Sequence, residues 1–246
     1  MPPPTTEAPL RVAVWRGREF GALETFSVPR APSQTVLDVV TYIQRELDPT
    51  LAYRFACRVG VCGSCAMTVN GRPRWTCRTH VCAVAREGEL ELRPLGNMPV
   101  IRDLVCDMDP FFDKWERARA RFVPGAPRGR ERDPAPLDPG SPERREIQAG
   151  IECISCGVCH AACDTVTWNP HYLGPAALNR AWTLWNDLRD GDRIGLLRAV
   201  SGEDGCLSCH THQSCAELCP NLLNPTRAIA GLKRAVAGAT LRGEPR

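Results

Sequence analysis

The amino-acid sequence predicts a chain of two unlike halves, α+β over residues 9–110 and all-α over residues 151–246, joined by a helix and linker over 111–150. Three observations carry that division. Short runs in the first half alternate with period two around one helical stripe, the apolar runs of the second half have helical spacing, and Pro, Gly, Arg and Asp crowd the stretch between. A length of 246 residues suits two modest cores better than one large one.

The first elements are two strands, Leu10–Trp15 and Glu24–Val28, joined by a Gly-containing turn. Pro29 and Pro32 then break the chain, and Thr35-Val-Leu-Asp38 reads as a capping box. Behind it Val36, Val39, Val40, Ile43 and Leu47 make one apolar helical stripe, stopped by Asp48-Pro49. Ala66–Val69 is a short strand, Asn70-Gly71 is a type I′ hairpin signal, and Leu90-Glu-Leu92 is expected to close the sheet. These elements amount to a small grasp-like sheet around a loop. A helix is expected over residues 98–122, with Phe111, Phe112 and Trp115 as core anchors. Residues 123–140, with Pro124, Pro127, Pro134, Pro136 and Pro139, read as a linker with little capacity to pack. Ser141-Pro142 reopens a helix. Others are expected from Pro175 to about Leu188, near Ile194–Val200, and from Asn224-Pro225, with Ile229, Leu232 and Val236 apolar.

Charged residues make up 24% of the chain and the net charge is +3, a balance that argues against a nucleic-acid partner. No run approaches the ~20 apolar residues that span a bilayer. The first ten residues lack the apolar core of a signal peptide, so the fourteen cysteines are expected in a reducing compartment, where dense cysteines suggest metal before disulfide.

Eleven of those cysteines fall into three donor sets. Cys57, Cys62 and Cys65, followed by Cys77, have the C-x4-C-x2-C…C spacing of a plant-type [2Fe-2S] site. Gly60 and Gly63 let that loop turn its N–H groups toward the sulfurs. Cys153, Cys156, Cys159 and Cys163 read C-x2-C-x2-C-x3-C, and Cys209, His212, Cys215 and Cys219 repeat the pattern with histidine in the second place, before Pro220. In two-cluster ferredoxins the fourth cysteine of each run serves the other run's cluster. Crossed in that way, Cys153, Cys156, Cys159 and Cys219 make a [4Fe-4S] site. Cys163, Cys209 and Cys215 are left as a three-thiolate [3Fe-4S] site facing His212. Imidazole replaces thiolate on iron in Rieske centres, so His212 is an alternative fourth ligand. Zinc is the competing reading, but it needs only four donors, usually in two pairs. Cys82, Cys106 and Cys206 read as structural thiols, small and apolar enough for a core.

This combination resembles the iron–sulfur subunit of the succinate dehydrogenase/fumarate reductase family, the complex II family. Asp48-Pro49-Thr50-Leu51, Asn97 through Leu104, Trp168-Asn169-Pro170, Gly174-Pro175-Ala176 and Asn224 through Ile229 carry the likeness beside the cysteines. The resemblance implies an N-terminal β-grasp plant-type [2Fe-2S] ferredoxin domain and an all-α C-terminal ferredoxin-like domain with two cubane-type sites. It implies electron transfer from FAD on a flavoprotein subunit through the [2Fe-2S], [4Fe-4S] and [3Fe-4S] clusters to a membrane quinone, with no substrate-oxidising residue on this chain. The implied partners are that flavoprotein and membrane-anchor subunits that can carry haem. The implied place is the cytoplasmic side of a bacterial inner membrane, held peripherally. Trp168 and His210 map to positions beside quinone; read without the family, they are a buried wall and a satisfied neighbour of the cluster. Asp164 stands where the family often has proline. The same subunit of a quinol:fumarate reductase, or more remotely the iron–sulfur linker of another flavoprotein dehydrogenase, fits the same pattern.

Overall fold

The computed structural model describes residues 8–125 and 138–243. They form two compact units. One is the chain up to Met108 together with Ile154–Ala162, and the other is Asp109–Cys153 with Cys163 onward. Residues 154–162, which the sequence places with the helical half, therefore pack in the first unit.

That unit is built on a five-stranded sheet of β1 (Leu10–Gly17), β2 (Gly21–Val28), β3 (Ala66–Val69), β4 (Arg72–Trp75) and β5 (Glu89–Arg93), in the order β2-β1-β5-β3-β4. β1 and β5 run parallel and the other pairs antiparallel, the mixed sheet of a β-grasp. The alternation of β1 puts Leu10, Val12 and Val14 on the buried face, opposite Val28 and Phe26 of β2. Leu90 and Leu92 make β5 a central strand rather than the closing one expected from sequence. β4 was not legible, because Arg72-Pro73-Arg74 is a poor strand sequence. It lies at the sheet edge, where proline is tolerated. Asn70 and Gly71 both have positive φ, 48° and 76°, as a type I′ turn requires.

The Val36–Tyr42 helix covers this face, and its capping box is complete: the Asp38 N–H donates to Thr35 Oγ1 at 3.2 Å and the Thr35 N–H to Asp38 Oδ2 at 3.0 Å. Val36, Val39, Val40 and Ile43 are fully buried, but Leu47 is exposed. The helix widens into a π turn over Ile43–Leu47, which shifts the stripe out of phase one turn before its end.

The expected helix over 98–122 is corrected. Val100–Arg102 and Val105–Cys106 are strands β6 and β7 of a small hairpin, and the helix spans only Asp109–Arg117. Tertiary bonds override helical propensity here. Asp103, at φ 51° in the hairpin turn, is buried and accepts N–H donors from Gly17 and Ala52 and a guanidinium hydrogen from Arg16, each at 2.9 Å. Phe111 is buried, but Phe112 is largely exposed and does not anchor the core.

The second unit is helical: Pro142–Ile151, Asp164–Trp168, Gly174–Trp185, Arg193–Ser201 and Pro225–Leu241 are its main helices. Leu178, Ala181, Leu184, Val200, Ile229 and Leu232 fill its core. Three starts are capped as their residues suggest: Ser141 Oγ accepts from Arg144 N–H, Asp192 Oδ1 from Gly195 N–H, and Asn224 Oδ1 from Arg227 N–H. The start of the expected linker does pack. Val123 donates to Asp190 Oδ2 and accepts from Gly191 N–H, while Gly125 donates to the Arg189 carbonyl. Pro127, Pro134 and Pro136 lie outside the described residues. Cys106 and Cys206 are buried as expected, but Cys82 is exposed on the short Val81–Val84 helix, so it is not a core thiol.

Candidate iron–sulfur centres

In the first unit the loop between the π turn and β3 gathers the plant-type donor set. Its approach is fixed by ion pairs: Arg16 holds Asp48 at 2.7 Å and Asp103 at 2.9 Å, and Arg54 donates to the Cys106 carbonyl. Arg58, Gly60 and Gly63 take positive φ, turning successive amides inward. Val59 and Val61 N–H groups point at Cys57 Sγ at 3.5 and 3.4 Å, Cys57 N–H at Cys62 Sγ, and Cys77 N–H at Cys65 Sγ at 3.4 Å. Gly60 N–H serves Cys77. The amides of Val59, then Val61, bring the Cys57 thiol down to about 6, whereas burial pushes Cys77 up to about 11. All four thiols are brought together, ringed by donors that suit an anionic sulfur cluster.

The same unit sets the second donor run against this loop. Cys156 packs on Gly63, where an added Cβ would stand 2.6 Å from the Cys156 Cβ. Asn97 Nδ2 ties the run down through the carbonyls of His160 and Ala161 at 3.0 and 3.3 Å. Cys156 and Cys159 thus belong to the first unit, and Cys153 and Cys219 to the second. Within the second unit, Asn221 Nδ2 donates to the Glu152 carbonyl at 2.6 Å, bringing the neighbours of Cys153 and Cys219 together.

Cys163, Cys209 and Cys215 line one cavity of the second unit with Thr165, Tyr172, Thr226, His212 and Ile229. Burial pushes Cys163 and Cys215 above the ordinary thiol value. A side-chain hydroxyl meets one sulfur, Thr226 Oγ1 lying 3.3 Å from Cys215 Sγ, and Thr165 and Tyr172 line the same cavity beside Cys163 and Cys209. Nothing in the cysteine spacing pointed to these three residues. Lys114, also unforeseen, is buried beside Cys163, and desolvation brings its ammonium down to about 8. Lys233 Nζ donates to the Cys209 carbonyl at 2.7 Å.

His212 and Trp168 stand at the outer side of this cavity, ring edge to ring face at 5.6 Å, with His210 6.1 Å from His212. Trp168 is 66% exposed, which corrects its reading as a buried wall; His210 is exposed too. Among the described residues no three Cys, His, Asp or Glu side chains are placed to hold a single metal ion.

Fold and donors together define a chain of two ferredoxin-type iron–sulfur units. Residues 10–113 match the model of a 2Fe-2S iron–sulfur cluster binding domain, and residues 152–224 that of a 4Fe-4S dicluster domain. The chain is 34% identical over 215 residues to the fumarate reductase iron–sulfur subunit of Haemophilus influenzae, covering 84% of this chain and 83% of that one. It is 34% identical over 199 residues to the succinate dehydrogenase iron–sulfur subunit of Paracoccus denitrificans, covering 80% and 74%. A solved chain of the Mycobacterium smegmatis Sdh1 complex in the apo form superposes with a TM-score of 0.81 at 28% identity, over 97% of this chain and 98% of that one. The chain belongs to the family of iron–sulfur subunits of succinate dehydrogenase and fumarate reductase.

Proposed function

We propose that this chain is the electron-transfer subunit of a succinate:quinone oxidoreductase, receiving electrons from a FAD-bearing flavoprotein and delivering them to a quinone at a membrane anchor. Cys57, Cys62, Cys65 and Cys77 would hold [2Fe-2S]; Cys153, Cys156, Cys159 and Cys219 would hold [4Fe-4S]; Cys163, Cys209 and Cys215 would hold [3Fe-4S]. When bound, the clusters supply one-electron chemistry, and the chain sets their spacing, burial and potential.

The observation that carries this reading is the contact of Cys156 with Gly63. It sets one cubane donor against the wall of the plant-type loop, with no side chain between them. The Asn221 to Glu152 hydrogen bond supports the crossed assignment of Cys219 to the same site as Cys153. At the other end, the exposed Trp168 offers an indole N–H, a donor suited to a quinone carbonyl, with His210 near it. His212 sits on Trp168 and lines the three-thiol cavity, and we assign it to the cavity mouth rather than to iron. No helix among the described residues is long and apolar enough to cross a membrane, which suits a subunit held at the cytoplasmic face by its partners.

The same subunit in a quinol:fumarate reductase is the second reading, since the chain is 34% identical to the Haemophilus fumarate reductase subunit and to the Paracoccus succinate dehydrogenase subunit alike. Purifying the native complex and assaying succinate-to-quinone and quinol-to-fumarate transfer separates the two. A complex whose flavoprotein acts on neither dicarboxylate overturns both.

A further inference from the structure

The three thiols of the cavity are not left to backbone donors alone. Three side-chain hydroxyls, from three different elements, line the cavity that holds them. They are Thr165, in the Asp164–Trp168 helix, Tyr172, in the loop before Gly174, and Thr226, in the first turn of the Pro225–Leu241 helix, whose Oγ1 lies 3.3 Å from Cys215 Sγ. All three line the same cavity as the cysteines, with Tyr172 1% and Thr165 5% exposed.

We propose that Thr165, Tyr172 and Thr226 form a hydroxyl set, one to each sulfur, that raises the reduction potential of the group held by Cys163, Cys209 and Cys215. The inference rests on the three-thiolate assignment proposed above. Burial makes negative charge costly here: Cys215 is 8% exposed, in a cavity walled by Tyr172 and Ile229. One-electron reduction of a cluster held here would add one negative charge shared over the sulfurs, with no proton transfer required. A polarised O–H facing sulfur gains more from the reduced site than from the oxidised one. Tyr172 remains a donor throughout, since a phenol keeps its proton at neutral pH.

The test is a redox titration of the purified complex, read by the electron paramagnetic resonance signal of oxidised [3Fe-4S]. Tyr172→Phe, Thr165→Val and Thr226→Val each remove an O–H while keeping shape. Each is expected to shift the equilibrium about tenfold toward the oxidised form, about 59 mV downward for a one-electron couple. Thr165→Ser and Thr226→Ser restore the wild-type midpoint, and the other two clusters keep theirs. Midpoints unmoved in Tyr172→Phe and Thr226→Val overturn the proposal, as does a serine variant shifted as far as its valine partner. Cluster loss in a valine variant that serine reverses supports the hydroxyl role, whereas loss in both overturns it. A wild-type complex without the signal refutes the three-thiolate assignment itself, before any variant is made.

Discussion

The plant-type loop of the first unit and the three-thiol cavity of the second solve one problem by opposite means. Sulfur ligands carrying negative charge need hydrogen-bond donors. In the loop these are backbone amides of Cys57, Val59, Gly60, Val61 and Cys77, aimed by positive-φ residues, and the amides at Cys57 hold its thiol down at about 6. In the cavity hydroxyls on packed elements join backbone amides at Cys163, and the thiols are pushed up by burial. A loop served by amides depends on backbone geometry and tolerates many side chains. A cavity served by side chains depends on residue identity. The two should fail under different substitutions.

The largest effect should come where the loop is anchored. Asp103→Ala strips the acceptor from two amides and from Arg16, leaving buried donors unpaired, at a cost of about 3–5 kcal/mol. Thermal denaturation should show the first unit melting early, and [2Fe-2S] should be lost while the three-thiol site keeps its signal. Equal loss at both sites would erase the contrast.

Next comes Gly63→Ala. It asks an L-residue to hold φ 72° with a Cβ 2.6 Å from that of Cys156, which should cost about 1–3 kcal/mol. Iron content and the signals of the first two clusters should fall together. Gly71→Ala, at φ 76°, carries the same backbone strain but its added Cβ meets nothing within 4 Å, so it should cost less and leave the clusters in place.

Lys114 sharpens the other side of the comparison. Its folded pKa of about 8 lies below the ordinary 10.5, so the folded state binds fewer protons than the unfolded chain between those values. The penalty is complete below about pH 8 and is relieved as pH rises toward 10.5. Lys114→Met should therefore raise the melting temperature at pH 7, by about 1–2 kcal/mol of stability, with the gain shrinking in alkaline buffer. A gain that is constant from pH 7 to 10 would mean that charge burial is not its source.

The smallest effect belongs to a position remote from both centres. Thr35→Ala removes the capping box at about 1 kcal/mol and should leave every cluster potential unchanged, as a melting curve and a redox titration of one preparation would show.

The sequence carried the donor sets further than the architecture around them. Cysteine spacing is local, so Cys57 through Cys77 could be grouped by counting, and the structure brings these four together. Period two placed Leu10, Val12 and Val14, and the caps at Thr35 and Asn224 were legible from single residues. What failed was non-local. The 98–122 stretch had helical spacing, but its middle is claimed by Asp103, whose partners Gly17 and Ala52 lie far away in the chain. The hydroxyls of Thr165, Tyr172 and Thr226 belong to no run, and only packing brings them to sulfur. Trp168 offered no signal of its exposure, since tryptophan reads as core wherever it stands.

The central claim is that eleven cysteines hold three clusters, each with its own kind of hydrogen-bond environment. Iron and acid-labile sulfide analysis of the anaerobically purified complex tests it most directly. The account predicts about nine iron atoms and about ten labile sulfides per copy of this chain, from one [2Fe-2S], one [4Fe-4S] and one [3Fe-4S]. A colourless chain with zinc and no labile sulfide would contradict it.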